Sequence, residues 1–337
     1  MAGPRVTIED VARRARVSRQ TVSNVLNAPQ LVATPTRERV EGAISALGYR
    51  PHMAARQLRT RRSHVIGLRL EPSRDGINGA VLDRFLHGLT ETAQHAGYRV
   101  LLFTAPDDEG EVTEYRTLLD TSDLDAFVLT STHRGDVRTH WLAEHGVPFV
   151  TFGRPWEDDA APHRWVDVDG RAGVRMATEH LHQLGHHRIG FLGWPDGSDV
   201  GADREAGWRD AMTADGWDDA ALDQLRRAVP DEVAAAAAAC GDLASRAAPT
   251  AVVCTSDSLA LGAAQALRGS GAAVVGFDDT PVAAAVGISS VAQPLATAAE
   301  RAVDLVLQAI EHHDHDSAHV LLTPQLVVRA SSIPFHA

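Results

Sequence analysis

The stretch at residues 6–27, "VTIEDVARRARVSRQTVSNVLN", decides how the chain begins to fold. Thr7 is a helix N-cap with Asp10 three residues on, a variant of the capping box. Ile8, Val11, Ala12 and Ala15 recur at helical spacing, so 7–15 reads as a short amphipathic helix. "ARVS" is a tight turn, and Ser18 caps a second helix over 18–26. That helix buries Val22, Val25 and Leu26 and turns Arg19, Gln20, Ser23, Asn24 and Asn27 outward. After the loop "NAPQLVA", Thr34-Pro35 is a cap-plus-N1 start for a third helix. It runs to about Leu47, buries Val40, Ile44 and Leu47, and ends at Gly48.

Two short helices joined by a tight turn and braced by a third make a helix-turn-helix. Its second helix presents its N-terminal residues to base edges in the major groove. Arg19 has the fork that reaches guanine, and Gln20 and Asn24 have amides that reach adenine or a phosphate. Ser18, Thr21, Ser23 and Asn27 are short polar side chains suited to the phosphate backbone. The alternative is a three-helix bundle whose polar face meets only water.

Charge favours the DNA reading. The net charge of the 337-residue chain is −12, yet residues 1–62 carry 12 Arg against 4 acids, a net of +8. The remaining 20 Arg and 40 acids give −20. A basic head on an acidic body is the footprint of a polyanion bound at one end. Every cation is Arg and there is no Lys, which reads as genome composition.

Next comes "YRPHMAARQLRTRRSHVIGL" (49–68), with Pro51 at a helix start and about two helical turns before the arginines. So short a helix is marginal alone and is expected to form against DNA. Leu58, apolar among arginines, then suits a minor-groove wedge. A basic linker with an incidental leucine is the plainer reading.

Residues 6–27, with "ATPTRERVEGAISALGYRPHMAARQLRTRRSHVIGL" (33–68), resemble the lac-repressor (LacI/GalR) family of bacterial regulators. The resemblance implies that the hinge helix forms on a near-palindromic operator, where Leu58 intercalates with Ala55 beside it. It extends the DNA-contacting set to Thr7, Thr36, Tyr49, His52, Ala55 and Leu58. His52 stands where the family usually has Asn, and Thr36 where an acid is common.

From His64 strands alternate with helices: "VIGLRL", "RVLLFTA", "DAFVLTS", "VPFVTFG", then, after "RWVDVDG", "RIGFLG", "AVVCTS" and "AAVVGF". The class is α/β: an all-α helix-turn-helix head, and a two-lobed body of doubly wound parallel sheets. A last helix at about 294–311 and one strand, "HVLLTPQLVVR", return to the body. The expected domains are the head at 1–50, hinge and linker at 51–63, and the body at 64–337. Its N-lobe takes about 64–164 and 292–320, and its C-lobe about 165–291 and 321–331.

Ligands of such lobes bind beyond the carboxyl ends of the strands. Arg154, Arg204, Asp257 and Asp278 fall at or near those ends, and Trp165 offers an aromatic face. Two carboxylates and two guanidiniums suit a polyhydroxylated ligand, while any one of them alone reads as a cap and Trp165 as packing. The body is similar to periplasmic sugar-binding proteins, and in LacI/GalR regulators the effector lies between the lobes. By that resemblance Arg204 in "REAGW" and Asp278 in "VVGFDDT" are effector contacts. "CTSDSLALG" keeps Asp257 but has Ser256 where Asn is usual. Gly153 stands where some members have Asp, and Arg69 and Glu71 join the cleft at the first strand's end.

No G-x-S-x-G, P-loop or H-E-x-x-H is present, so no enzyme and no cofactor is expected. The tract "EHHDHD" (311–316) reads as a solvated loop rather than a metal site, and "VAAAAAAC" (233–240) as a helix-favouring run. Cys240 and Cys254 form no disulfide framework or zinc spacing. With no apolar membrane span and no secretory h-region, a cytoplasmic protein is expected. A transport-type sugar-binding protein would instead carry a signal peptide and no helix-turn-helix. The family implies a homodimer on a two-fold operator, and no heptad repeat follows Arg329 to suggest a tetramer. The sign of the effector's action stays open, with release of a repressor by a sugar the leading expectation and a corepressor, or a nucleoside or polyol effector, the alternative.

Overall fold

The computed structural model describes residues 6–49, 62–71, 79–122, 124–156, 163–312 and 318–332, save the side chains of Asn27 and His312. It divides into two compact units, 1–63 and 64–337.

In the first unit α1 (Ile8–Ala15), α2 (Arg19–Asn27) and α3 (Thr34–Leu47) close on Val11, Ala12, Ala15, Val22, Val25, Val40 and Ala43. Leu26, Ile44 and Leu47 pack at the edge of this core rather than inside it. The capping box is complete: the Asp10 amide donates to Thr7 Oγ1 at 3.3 Å, and the Thr7 amide to Asp10 Oδ2 at 2.9 Å. Arg16 ends α1 in the left-handed region, φ 54°, which makes the turn as tight as the sequence requires. Thr34 is not a cap. Ala33 occupies that position without a side-chain bond, and Pro35 falls at the second helical residue. The expected loop contains a 3₁₀ turn at Pro29–Leu31.

The second unit holds two six-stranded sheets. Its elements are β1 (Val65–Arg69), α4 (Gly79–His95), β2 (Arg99–Phe103), α5 (Asp108–Ser122), β3 (Ala126–Leu129), α6 (Val137–Glu144), β4 (Phe149–Phe152) and β5 (Arg164–Val168). There follow α7 (Gly170–Gln183), β6 (Ile189–Gly193), α8 (Asp199–Ala214), α9 (Asp219–Leu225), β7 (Arg226–Ala228), α10 (Val233–Ala247), β8 (Ala251–Cys254) and α11 (Asp257–Ala266). The chain closes with β9 (Ala273–Phe277), α12 (Pro281–Val286), β10 (Ser289–Ala292), α13 (Leu295–His312), β11 (His319–Leu322) and β12 (Gln325–Val327). The N-lobe sheet is ordered β11-β5-β4-β3-β1-β2 and the C-lobe sheet β12-β10-β9-β8-β6-β7. Helices cover both faces, which is why "AFVL", "IGFLG", "AVVC" and "AVVGF" are buried at every residue instead of alternating.

The lobe crossings differ from expectation. β5 pairs with β4 and β11, so the N-lobe sheet reaches Val168 rather than ending near residue 164. The stretch "HVLLTPQLVVR" is two strands. β11 runs parallel to β5 in one lobe and β12 antiparallel to β10 in the other. Pro324, which has no amide to donate, stands at the break. Three segments therefore join the lobes, after β5, after β10 and at Thr323–Pro324. Within the C-lobe, α7 and α8 approach so closely that a Cβ on Gly207 would overlap the Arg171 carbonyl. Only glycine fits there.

Candidate functional site

On the head, Ser18 Oγ accepts the Thr21 amide at 3.1 Å and lies 2.9 Å from Thr21 Oγ1. The cap fixes the start of α2, so Arg19 and Gln20 leave from its first turn, exposed. Gln20 Nε2 donates to Asn24 Oδ1 at 3.0 Å, joining two of the expected base readers into one amide unit. Arg19 Nη1 meets Glu9 Oε1 at 3.0 Å. That pair is exposed, so releasing it to a base costs about 0–1 kcal/mol. Ser23 and Thr21 sit half-buried on the same helix, and Thr36 half-buried in the first turn of α3. Thr7 takes part in its capping box and is exposed at the start of α1. Tyr49 packs against the head's core, and burial raises its phenol pKa. The side chain of Asn27, and His52, Ala55 and Leu58, lie outside the described residues.

In the body a cavity of about 810 Å³ opens between the lobes. Leu68, Arg69, Glu71, Asp83 and Phe85 line it from the N-lobe, and Trp194, Asp196, Ser198 and Asp231 from the C-lobe. Of the eight expected effector residues, only Arg69 and Glu71 are in this lining. Arg69 Nη1 donates to Glu111 Oε2 at 2.9 Å, and the same oxygen takes Arg138 Nη1 at 2.9 Å. Arg138 also grips Asp136 through Nε at 2.9 Å and Nη2 at 2.7 Å. Asp108, His133 and Asp136 bring ligand atoms within 4.8 Å of one another, as a metal would need. Their charge is already met, by Arg138 at Asp136 and by His133 Nε2 on Asp108 Oδ2 at 2.6 Å. The described part of the "EHHDHD" tract ends at the His312 backbone.

The other expected residues are placed differently. Arg204 is buried beneath Trp194, its guanidinium 5.3 Å from that ring's centroid and 3.7 Å from that of Phe277. Its Nη1 donates to the Thr255 carbonyl at 2.6 Å and lies 3.6 Å from Asp278 Oδ1. Burial works against both charges, pulling the guanidinium pKa down and the carboxyl pKa up, and each group's field opposes the other's shift. Asp278 also accepts Gln293 Nε2 at 2.7 Å. Asp257 is committed to the fold: Thr280 N and Ser290 Oγ each donate to it at 2.6 Å. Gly276 leaves room for that carboxylate, where a Cβ would overlap Oδ1. Ser256 caps α11 and donates to Asp231 Oδ1 at 2.5 Å, touching the cavity through that wall residue. Arg154 ties Asp167 at 2.7 Å to Asp203 at 3.4 Å, spanning the crossing between lobes. Trp165 is no cleft aromatic. It pairs across strands with His319, rings 4.7 Å apart and 17° from parallel.

On the C-lobe wall the cavity's aromatic is Trp194, which sequence reasoning missed. It follows "RIGFLG" directly, at the carboxyl end of β6, so the strand-end rule that singled out Arg154 also reaches it.

A helix-turn-helix followed by a two-lobed body with an inter-lobe cavity defines a ligand-responsive DNA-binding protein. Residues 7–52 match the model of bacterial regulatory proteins of the lacI family, and 178–332 that of the periplasmic binding protein-like domain. The chain is 33% identical to the HTH-type transcriptional regulator CelR of Thermobifida fusca, over 97% of this chain and 98% of that one. It is 32% identical to the regulator GalS of Salmonella typhimurium, over 97% and 96%. Among solved structures, the CelR–cellobiose complex superposes with a TM-score of 0.70 at 31% identity, covering 97% of this chain and 100% of that one. The lac repressor dimer bound to operator and the anti-inducer ONPF gives 0.80 at 26% identity, covering 98% and 100%. The chain belongs to the LacI family of DNA-binding transcriptional regulators.

Proposed function

We propose that the protein is a repressor that binds a near-palindromic operator as a homodimer and leaves it when a sugar enters the inter-lobe cavity. The observation that carries this reading is the cavity itself, walled by both lobes of one body in a chain that also holds a capped recognition helix. The likeness to a lac repressor dimer on its operator supports the dimer and the repressor role, and the likeness to a regulator complexed with cellobiose supports the sugar. In this reading Arg19, Gln20 and Asn24 choose bases, while Ser18, Thr21, Ser23, Asn27, Thr7, Thr36 and Tyr49 hold phosphates. Residues 51–63 are the hinge, His52 and Ala55 meet the operator centre, and Leu58 is its wedge. Arg204 and Asp278 stand behind Trp194 as the buried support of the sugar site. The body does no chemistry, and the protein acts in the cytoplasm, where its operator lies.

The lobes have two closure states, and a ligand that prefers one shifts the head's affinity by about 1–3 kcal/mol. The test is a gel shift on the DNA upstream of the protein's own gene, with and without mono- and disaccharides. Retention of a near-palindromic fragment, released by one sugar, is expected. Binding that no near-palindrome competes for, or that no sugar changes, contradicts the reading. Leu58→Ala should lose specific binding and keep the non-specific component.

A further inference from the structure

We propose that the cavity selects an uncharged sugar of at least two rings and rejects anionic ones, through the paired walls Arg69–Glu71 and Trp194–Asp231. The inference rests on the sugar reading above and narrows its ligand class. Three observations carry it. The first is size. A hexopyranose has about twelve heavy atoms, and even at about 30 Å³ each, the share of a whole water molecule, it fills less than half of the space. The cavity is about 810 Å³.

The second is the set of buried polar atoms on its walls that have no hydrogen-bond partner among the described residues. Glu71 Oε1 is an acceptor, and Arg69 Nε and Trp194 Nε1 are donors. The Arg69 side chain is only 9% exposed. Leaving such groups unsatisfied is costly, more so where they are charged. A hydroxyl both donates and accepts, so a polyol meets all three, and the Trp194 face takes the apolar side of a ring.

The third is charge. Among the described residues the lining holds five carboxylates (Glu71, Asp83, Asp196, Asp231 and Glu232), of which Asp196 is paired with Arg226, and one guanidinium, Arg69. That guanidinium is already held by Glu111 at 2.9 Å, with Glu71 and Asp108 each at 3.8 Å. A phosphate or carboxylate on the ligand would therefore enter a site of its own sign, with no free cation among the described lining residues to meet it.

The experiment is calorimetric titration of the full chain with cellobiose, maltose, lactose and melibiose, with the aldonic acid of each, and with glucose and glucose 6-phosphate. At least one neutral disaccharide is expected to bind, with its aldonate and both glucose probes about tenfold or more weaker. Glu71→Gln, and separately Asp231→Asn, should narrow the gap between the disaccharide and its aldonate. An aldonate or glucose 6-phosphate binding as tightly as the neutral disaccharide, glucose binding as tightly, or an unchanged gap in both variants overturns the selection. Operator release by a sugar alongside any of these results leaves the repressor reading standing. Absence of binding by every sugar, with no release of operator, removes both.

Discussion

Arg134 and Asp199 meet across the two lobes: the Arg134 amide donates to Oδ2 at 3.0 Å and its Nε to Oδ1 at 2.7 Å. Arg134 lies between β3 and α6 of the N-lobe, and Asp199 opens α8 of the C-lobe beside the cavity residue Ser198. The pair can form only when the lobes are closed at this edge. Arg134 is 65% exposed, so the ion pair is worth about 0–1 kcal/mol, at most about fivefold in the ratio of closed to open body. Arg134→Ala should shift dyes placed on the two lobes toward the open distance by up to that factor, with little change in melting temperature. An unchanged distance distribution counts against the latch.

The neighbouring His133 should carry a proton that sets this loop. Nε2 faces Asp108 Oδ2 at 2.6 Å and Nδ1 faces the Arg134 carbonyl at 2.9 Å. Both partners are acceptors, so only the imidazolium satisfies them together. Burial opposes the charge, but the bonds to Arg134 and Asp108 and the field of Asp136 outweigh it and raise the pKa above 6.5. A pKa raised in the folded state gives stability that is fully present below the unfolded value and fades as pH climbs through the folded one. The advantage of wild type over His133→Gln should therefore be constant below about pH 6 and shrink as pH rises beyond 6.5. A proton-NMR titration of the ring that gives a value below 6.5 would refute it.

Asp257 should act in the same sense, beginning at a lower pH. Burial, then the nearby Asp278, pushes its pKa from 3.8 up to about 7, against the donors Ser290 and Thr280. Between those values the folded chain holds a proton that the unfolded chain has released, so stability falls as pH rises from about 4 to about 7. Wild type should lose stability relative to Asp257→Asn over that interval in urea titrations. A constant difference would mean that the carboxylate ionises normally.

The sequence was most legible where a local rule acts alone. The head's first two helices follow from caps and spacing, the third from Pro35 and spacing, and the buried strands from continuous apolar runs. The effector set was harder, because a polar residue at a strand end is equally a ligand contact or a brace. Asp257, Arg154 and Asp278 all have protein partners that lie far away in sequence. Trp165 looked like a free aromatic because its partner, His319, comes from a strand joined to β5 only by the returning chain. The single strand expected over 319–329 fails for a different reason: Thr323-Pro324-Gln325 interrupts its two apolar runs, and the proline was a readable sign of the break at the lobe crossing. Conversely, Arg69 and Glu71 were found because they end a strand whose neighbours leave the cavity open.

Gln20 and Asn24 give the sharpest test of the recognition helix. Their side chains are already joined, Gln20 Nε2 to Asn24 Oδ1 at 3.0 Å, so the pair reaches DNA with one donor and one acceptor already spent on each other. What remains for a base is Gln20 Oε1 with the second N–H of its Nε2, and the Asn24 NH2, an acceptor and donors that complement an adenine edge. Gln20→Ala should cost about 1–3 kcal/mol on the preferred operator and relax selection at one base-pair position in each half-site. The slope of affinity against salt should hold, because no phosphate contact is removed. Ser18→Ala should instead weaken all sequences together, through loss of the helix cap, worth about 1 kcal/mol. Competition binding against a library of half-site variants separates the two. Uniform weakening by Gln20→Ala would make Gln20 a backbone contact and leave Arg19 and Asn24 as the readers.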